Sequence, residues 1–165
     1  MILDLKNVFL VGDERVAVST EVDMSNAETG SACFTEPVKA SVLAENHAGF
    51  VEFTADVSFD LHFDCDRCAA PVSRAFNYKF RHILVTQLSD ESGDDYIEAP
   101  DYKLDTDALL RDDILLELPS KLLCKETCKG LCPKCGKNLN EGSCGCKLRE
   151  TDPRLAALAS LLSDE

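Results

Sequence analysis

The sequence predicts an α+β fold: an antiparallel, barrel-like β-sheet domain with one helix after residue 105, a small cysteine-rich module and a C-terminal helix. Three observations lead to this prediction. Apolar and polar residues alternate along much of the first half, a helical pattern follows residue 105, and six of the nine cysteines lie within residues 121–149. We therefore expect a β domain with its following helix over 1–120, the cysteine-rich module over 121–150 and a helix over 151–165.

The strands of the first half are indicated by alternation with a period of two. Residues 16–22 and 38–44 show it, and residues 45–49 are typical of a turn. The strongest alternation places seven apolar residues on one face of residues 51–63: Val51, Phe53, Ala55, Val57, Phe59, Leu61 and Phe63. Another strand over residues 76–81 follows Pro71, so Cys65 and Cys68 should lie at the tip of a long hairpin.

Two helices are expected in the second half. After an acidic loop over residues 89–101, with a short strand at Tyr96-Ile97, either Asp105 or Thr106 can cap a helix that Pro119 ends. Its apolar face consists of Leu110, Ile114, Leu115 and Leu118. The last helix begins with Asp152 as its cap and Pro153 at its first position, and its apolar stripe is Leu155, Leu158, Ala159 and Leu162.

Composition narrows the class of protein. The 165 residues are 45% hydrophobic, which is enough for a core, and the formal net charge of −13 argues against a protein that coats nucleic acid through basic patches. The N-terminus shows no basic region followed by an apolar run, and no apolar run approaches a membrane span, so we expect a cytoplasmic protein. Nine cysteines in such a protein favour metal or redox chemistry over disulfides.

The cysteine spacing predicts metal sites. Cys132-Pro-Lys-Cys135 is a tight turn with two thiolates, and Cys144-Gly-Cys146 follows after a short loop, so four sulfurs can surround one zinc ion at about 2.3 Å. The remaining pairs, Cys65-Asp-Arg-Cys68 and Cys124-Lys-Glu-Thr-Cys128, can form a second four-sulfur site. We predict two structural zinc ions, while the spacing leaves open which sulfurs share an ion.

Other interpretations of these cysteines are open. Cys65 and Cys68 could be a redox-active pair, although the βαβ context of a thioredoxin-like motif is missing. The spacing Cys128-x3-Cys132-x2-Cys135 also occurs in radical-SAM enzymes, but this chain is too short and too rich in strands for their large barrel. A four-sulfur site could hold iron. The paired, closed pattern favours zinc.

The other reactive side chains are expected to be exposed or structural. Cys33 should be an unligated thiol in a loop, His47 and His62 should be exposed without partners, and His82 should be structural. The acids at 94–95 and 112–113 are expected on solvated faces. Since no catalytic triad, phosphate loop or paired-carboxylate motif stands out, we predict a protein that is not an enzyme and has no small-molecule substrate.

Charge is unevenly distributed along the chain. Residues 1–120 contain 9 bases and 24 acids, whereas residues 121–149 contain two acids and the basic residues Lys121, Lys125, Lys129, Lys134, Lys137, Lys147 and Arg149. With zinc-bound thiolates counted, the module carries about +2. All of these basic residues except Lys121 are candidate contacts to RNA or a partner, and equally they could simply keep the module soluble.

Several motifs between Cys65 and Leu158 match one known family. They are Leu118-Pro119 to Cys124, Cys128-Lys-Gly-Leu-Cys-Pro-Lys-Cys-Gly-Lys-Asn-Leu-Asn140, Cys144-Gly-Cys146, Asp152-Pro-Arg-Leu-Ala-Ala-Leu158 and the upstream Cys65-x-Arg67-Cys68. These motifs resemble the YceD family, the bacterial large-ribosomal-RNA-accumulation proteins. The resemblance implies a non-enzymatic role in the synthesis, processing or stability of large-subunit (23S) ribosomal RNA, and it supplies no catalytic residue.

The charge distribution then indicates which partner to expect. A chain with a net charge of −13 repels a polyphosphate and attracts a lysine-rich ribosomal protein. We expect an assembly adaptor whose acidic β surface binds a ribosomal protein or a pre-large-subunit particle. Any contact to rRNA should be weak and confined to the cysteine-rich module.

Overall fold

The computed structural model describes residues 1–27, 29–30, 32–47, 50–87 and 96–146. The chain forms two compact units. Unit 1 comprises Met1–Asp64 and Pro71–Leu122, and the described part of unit 2 comprises Cys65–Ala70 and residues 123–146.

Unit 1 contains the strands and helices of the described residues. In chain order they are β1 (Ile2–Asp4), α1 (Lys6–Leu10), β2 (Arg15–Val22), β3 (Cys33–Phe34), β4 (Val38–His47), β5 (Phe50–Asp64), β6 (Pro71–Val85), β7 (Tyr96–Glu98), a 3-10 turn (Pro100–Tyr102), β8 (Lys103–Asp105) and α2 (Thr106–Glu117). The main sheet has the order β2-β4-β5-β6-β7, with β3 paired to β5, and β1 pairs separately with β8. These pairings are antiparallel except that of β6 with β7. The predicted α+β class is confirmed, and the main sheet curls into half of a barrel.

β5 is the central strand of the core. All seven side chains of its predicted apolar face are buried, with exposed fractions of 7% or less, because burying them removes a continuous apolar surface from water. β5 pairs with β4 from Lys39↔Ser58 to His47↔Phe50, and with β6 from Val51↔Leu84 to Asp64↔Pro71. The long hairpin of β5 and β6 is thereby confirmed, and Cys65–Ala70 forms its tip.

Three local predictions are corrected by the structure. Residues 45–47 continue β4 instead of forming a turn, since they pair with β5 and the buried Asn46 side chain donates to the Val8 carbonyl oxygen at 2.7 Å. Leu115 is exposed, whereas Leu110 and Ile114 are fully buried. β1, α1 and β8 are missing from the prediction, because elements of three to five residues are too short to show a period.

The end of unit 1 follows the predicted order. The short strand at Tyr96-Ile97 is confirmed as β7, and the Asp105 carboxylate caps α2 by accepting from the N–H groups of Asp107 and Ala108. Neither helix in the described ranges has the length and apolar character needed to cross a bilayer. The helix predicted from Asp152 lies outside the described residues, as do the acids at 94–95.

The histidines have neighbours that the sequence did not reveal. His82 is structural, and its Nε2 lies 2.8 Å from Asp113 Oδ2, which connects β6 to α2. The Asp113 side chain is largely buried, which corrects the expectation that it lies on a solvated face. His47 and His62 are exposed as predicted, but the prediction that they lack partners is wrong, since Glu45 and Thr35 lie within 3.9 and 3.5 Å of their rings.

Phe53 and Phe50 offer a matched test of the core. Phe53 is 0% exposed in the centre of β5, whereas Phe50 is 58% exposed at the start of the same strand. We expect Phe53→Ala to lower the free energy of unfolding by about 3–5 kcal/mol, and Phe50→Ala to lower it by less than about 1 kcal/mol. Chemical denaturation of the metal-loaded protein measures both, and equal losses would show that β5 is not the centre of the core.

Candidate metal centres

The eight cysteines predicted to bind metal lie in unit 2, in two groups of four. Cluster 1 consists of Cys65, Cys68, Cys124 and Cys128, and cluster 2 consists of Cys132, Cys135, Cys144 and Cys146. Within each cluster all four sulfur atoms lie within 4.8 Å of one another. The structure thus brings the upstream pair to the pair at 124 and 128, the grouping that the spacing alone left open. Cys33 is an exposed free thiol in unit 1.

The sulfur–sulfur distances of cluster 1 suit a tetrahedral metal site. Cys65 Sγ lies 3.8 Å from Cys128 Sγ, and Cys68 Sγ lies 3.7 Å from Cys124 Sγ. A disulfide would be about 2.05 Å long, whereas sulfurs bound at about 2.3 Å to one tetrahedral ion lie about 3.8 Å apart. Because these contacts join the upstream pair to the downstream pair, the geometry favours a closed four-sulfur site over a separate redox pair.

Arg67 holds the hairpin tip against the chain that follows Cys128. The tip itself closes through the Cys65 N–H donating to the Ala70 carbonyl oxygen at 2.9 Å. Arg67 Nη1 donates to the Cys128 carbonyl oxygen at 2.8 Å, and the Leu131 N–H donates to the Arg67 carbonyl oxygen at 3.0 Å. These two bonds tie together segments that carry opposite halves of cluster 1.

Gly130 allows this close approach. Its φ is +74°, a region that residues with a side chain avoid, and a Cβ there would lie 2.9 Å from the Arg67 carbonyl oxygen. A larger residue at position 130 would therefore push Cys128 and the tip apart. The sequence showed this glycine only as part of the family-like motif.

Cluster 2 is built on a tight turn. The Cys132 N–H donates to the Lys137 carbonyl oxygen and the Gly136 N–H donates to the Cys132 carbonyl oxygen, both at 2.9 Å. Cys132 is buried, Cys135 is exposed, and Cys144 and Cys146 are half-buried. The turn therefore presents two sulfurs to the returning Cys144-Gly-Cys146 segment.

Asn140 connects the two clusters, a role that the sequence did not indicate. It lies in the loop between Cys135 and Cys144, yet its Nδ2 donates to the Cys128 sulfur at 3.3 Å. Its Oδ1 accepts from the Lys129 N–H at 2.9 Å, which holds the amide in place. Such hydrogen bonds orient metal ligands and stabilise the thiolate form.

The thiols of each cluster differ widely in pKa. Burial raises the pKa of Cys65, but hydrogen bonds from the backbone N–H groups of Cys124, Arg67 and Cys68 outweigh it and lower the pKa to about 6. In cluster 2, the backbone N–H groups of Cys135 and Lys134 lower the pKa of Cys132 to about 6.

Each cluster also contains a thiol whose pKa is raised. Burial, with the hydrogen bond to Cys128, raises the pKa of Cys124 to about 12, and hydrogen bonds to Cys135 and Cys144 raise the pKa of Cys146 to about 12. Four thiolates this close repel one another, so full ionisation requires a cation among them. The donor set therefore fits a divalent metal ion, whose binding would release protons.

The candidate lysine contacts are close in sequence to the clustered cysteines. Lys125, Lys129, Lys134 and Lys137 are exposed, whereas Lys147 and Arg149 lie outside the described residues. Lys137 Nζ also donates to the Ser143 carbonyl oxygen at 3.3 Å.

Gly130 and Gly136 form a matched pair for testing cluster 1. Both have positive φ, but a Cβ at Gly136 would meet open space. We expect Gly130→Ala to speed metal loss to a chelator and to lower the melting temperature clearly more than Gly136→Ala, whose cost is the backbone strain of about 1–2 kcal/mol alone. A metallochromic dye follows the release. Equal behaviour of the two variants would contradict the role of the contact with Arg67.

Comparison with known proteins yields one family. The family model described as "Large ribosomal RNA subunit accumulation protein YceD" matches residues 53–162. The uncharacterized protein YlbN of Bacillus subtilis (strain 168) is 29% identical over 131 residues, which cover 78% of this chain and 76% of YlbN. No solved structure is significantly similar to the chain.

Two plant relatives carry the family name. The chloroplastic "Large ribosomal RNA subunit accumulation protein YCED homolog 1" of Zea mays is 29% identical over 145 residues, covering 68% of this chain and 50% of the relative. Its Arabidopsis thaliana counterpart is 37% identical over 59 residues, which cover 36% of this chain and 18% of the relative. This chain thus spans half or less of the plant proteins. Because the family model covers more than half of the chain, including all eight clustered cysteines, the chain belongs to the YceD family.

Proposed function

We propose that this protein is a non-enzymatic factor that supports the accumulation of large-subunit (23S) ribosomal RNA, and that two structural zinc ions stabilise it. The observation that carries the proposal is membership of a family whose name, like that of its plant relatives, is large ribosomal RNA subunit accumulation protein. The two four-cysteine clusters support the structural part of the proposal.

Zinc is the metal that we assign to both clusters. Sites made of four thiolates are typical of structural zinc, whereas catalytic zinc keeps one position open for water or substrate. Cys65, Cys68, Cys124 and Cys128 would hold one ion, and Cys132, Cys135, Cys144 and Cys146 the other. Bound zinc would supply the folding free energy of unit 2, and four sulfur ligands leave no position for catalysis.

The charge distribution supports an adaptor with two kinds of contact. On β5 the carboxylates of Asp56, Asp60 and Asp64 are exposed, a surface that suits a lysine-rich ribosomal protein. In unit 2 the exposed lysines named above suit a weak, salt-sensitive contact to rRNA in a pre-large-subunit particle. A cytoplasmic, soluble assembly factor is the role that these features favour.

The zinc assignment predicts a stoichiometry. Metal analysis of the purified protein should find about two zinc ions per chain and no visible absorption, because zinc has a filled d shell. We expect Cys132→Ser to lose about one ion and to lower the melting temperature, while Cys33→Ser, which changes an exposed thiol outside both clusters, keeps both ions. A brown or red protein, or a Cys132→Ser variant with an unchanged metal count, would contradict the assignment.

The adaptor role predicts which ribosomal components are captured. A tagged protein, purified from cells at moderate salt, should bring down large-subunit precursors or a discrete basic ribosomal protein. Half of each sample is treated with nuclease, which removes components captured through RNA. The double variant Asp56→Lys, Asp60→Lys should abolish the capture that survives nuclease, whereas the double variant Lys129→Glu, Lys134→Glu should weaken only the nuclease-sensitive capture.

Each pair of variants serves as the control for the other, since both change exposed charges. The Asp56 carboxylate pairs with Lys79 at 3.5 Å, but both of these side chains are more than half exposed. The proposal fails if no ribosomal component is enriched and a deletion strain has normal rRNA levels. Capture that depends on the lysines alone would support direct contact to RNA and contradict the acidic surface as the protein-binding face.

A further inference from the structure

β6 has a long open edge. It spans Pro71–Val85 and pairs with β5 from Pro71 to Leu84, but on its other side the described residues pair only with Ile83–Val85, through β7. Within the described part of the chain, no strand covers the remaining residues 71–82 on that side. Such an edge is a template for another strand.

The backbone groups of this edge point in a defined direction. The Val85 carbonyl oxygen accepts from the Ala99 N–H at 2.8 Å, so Val85 directs its backbone groups away from β5. Since the direction alternates along an antiparallel strand, the odd-numbered residues from Ser73 to Arg81 direct their N–H and C=O groups to the open side as well. Pro71, which lacks an N–H, stands at the end of this row, where edge strands tolerate proline.

A row of half-buried aromatic rings accompanies the open edge. Phe76, Tyr78 and Phe80 share the inner face of β6, and their neighbouring ring centroids lie 5.9 and 6.0 Å apart. Phe59 on β5 stacks on Phe76 at 5.6 Å. All three β6 rings remain partly exposed. A strand added at the edge would bury them further, which adds apolar area to the backbone hydrogen bonds.

We propose that β6 pairs antiparallel with β6 of a second copy of this chain, about a two-fold axis at Asn77. Asn77 is the midpoint of residues 72–82, so this register pairs the open segment except Pro71 and stops where the pairing with β7 begins. A closed two-fold pair uses the same edge on both copies, which leaves neither β6 edge open.

The side chains of β6 are complementary to themselves in this register. Phe76 faces Tyr78 of the second copy, Lys79 faces Ala75, and Arg81 faces Ser73, so no two like charges lie directly opposite each other. A shift of the axis to Lys79 would set Lys79 against itself.

β6 contains three Lys and Arg residues and no acids, and two of them pair with carboxylates of β5: Lys79 Nζ lies 3.5 Å from Asp56, and Arg81 lies 2.6 Å from Glu52. The second copy would pair with the backbone edge of β6, whereas the lysine-rich partner would contact the carboxylates of β5.

Long-range charge repulsion opposes the dimer, so the dimer should respond to salt in a characteristic direction. Each copy carries a formal charge of −13, and salt screens this repulsion. Raising the ionic strength should therefore tighten the dimer, whereas it would weaken binding of RNA or of a basic protein.

The test is the mass of the full-length, metal-loaded protein in sedimentation and light scattering at about 5–200 µM, a range suited to micromolar affinity. We expect a concentration-dependent rise from 18.1 kDa towards twice that mass. Asn77→Pro removes an edge N–H without breaking a bond to β5 and should abolish dimerisation. The matched control is Ser19→Pro, on the free side of the edge strand β2, which should leave the dimer intact.

Position 75 tests the register in both directions. Ala75→Glu places a carboxylate opposite Lys79 of the second copy and should tighten the dimer, whereas Ala75→Lys should weaken it, each by roughly two- to thirtyfold because the pair occurs twice. These variants keep the test valid if Asn77→Pro does not fold. Three results would overturn the proposal. The wild-type protein stays monomeric over the whole concentration range, Ser19→Pro abolishes the dimer while Asn77→Pro does not, or both substitutions at position 75 shift the affinity in the same direction.

Discussion

The structure of unit 2 depends on four sulfurs that come from distant parts of the chain. Cys65 and Cys128 are 63 positions apart, and Cys68 and Cys124 are 56 apart, yet their sulfurs lie within 4 Å. Residues 123–146 contain no helix or strand, only the isolated bridge between Leu131 and Asn138. With so little secondary structure and apolar packing, thiolate–metal bonds are the strongest interaction that can close this loop.

Backbone and side-chain contacts then place the sulfurs. Arg67 ties the hairpin tip to Cys128, Gly130 permits the approach, and Asn140 donates to the Cys128 sulfur from the loop of cluster 2. Asn140 therefore links the loop of cluster 2 to a sulfur of cluster 1. In the proposed function, unit 2 supplies the exposed lysines and the sheet of unit 1 supplies the acidic surface.

The parts predicted from the sequence are those encoded by local pattern. The period of two along β5 and the spacing of Cys132, Cys135, Cys144 and Cys146 each lie within a short stretch of chain. The pairing of Cys65 and Cys68 with Cys124 and Cys128 followed only by elimination, because spacing does not report distance between remote segments. Two further contacts left no pattern in the sequence because they depend on the tertiary structure. They are the hydrogen bond from Asn46 to Val8 and the contact between His82 and Asp113.

In the proposed function, each cluster holds one zinc ion through four thiolates. X-ray absorption at the metal edge of the purified protein tests it most directly, since it identifies the metal and counts its ligands at once. We expect a zinc edge with four sulfur neighbours at about 2.3 Å and no nitrogen or oxygen ligand. An iron edge, or a zinc shell that contains nitrogen or oxygen, would contradict it.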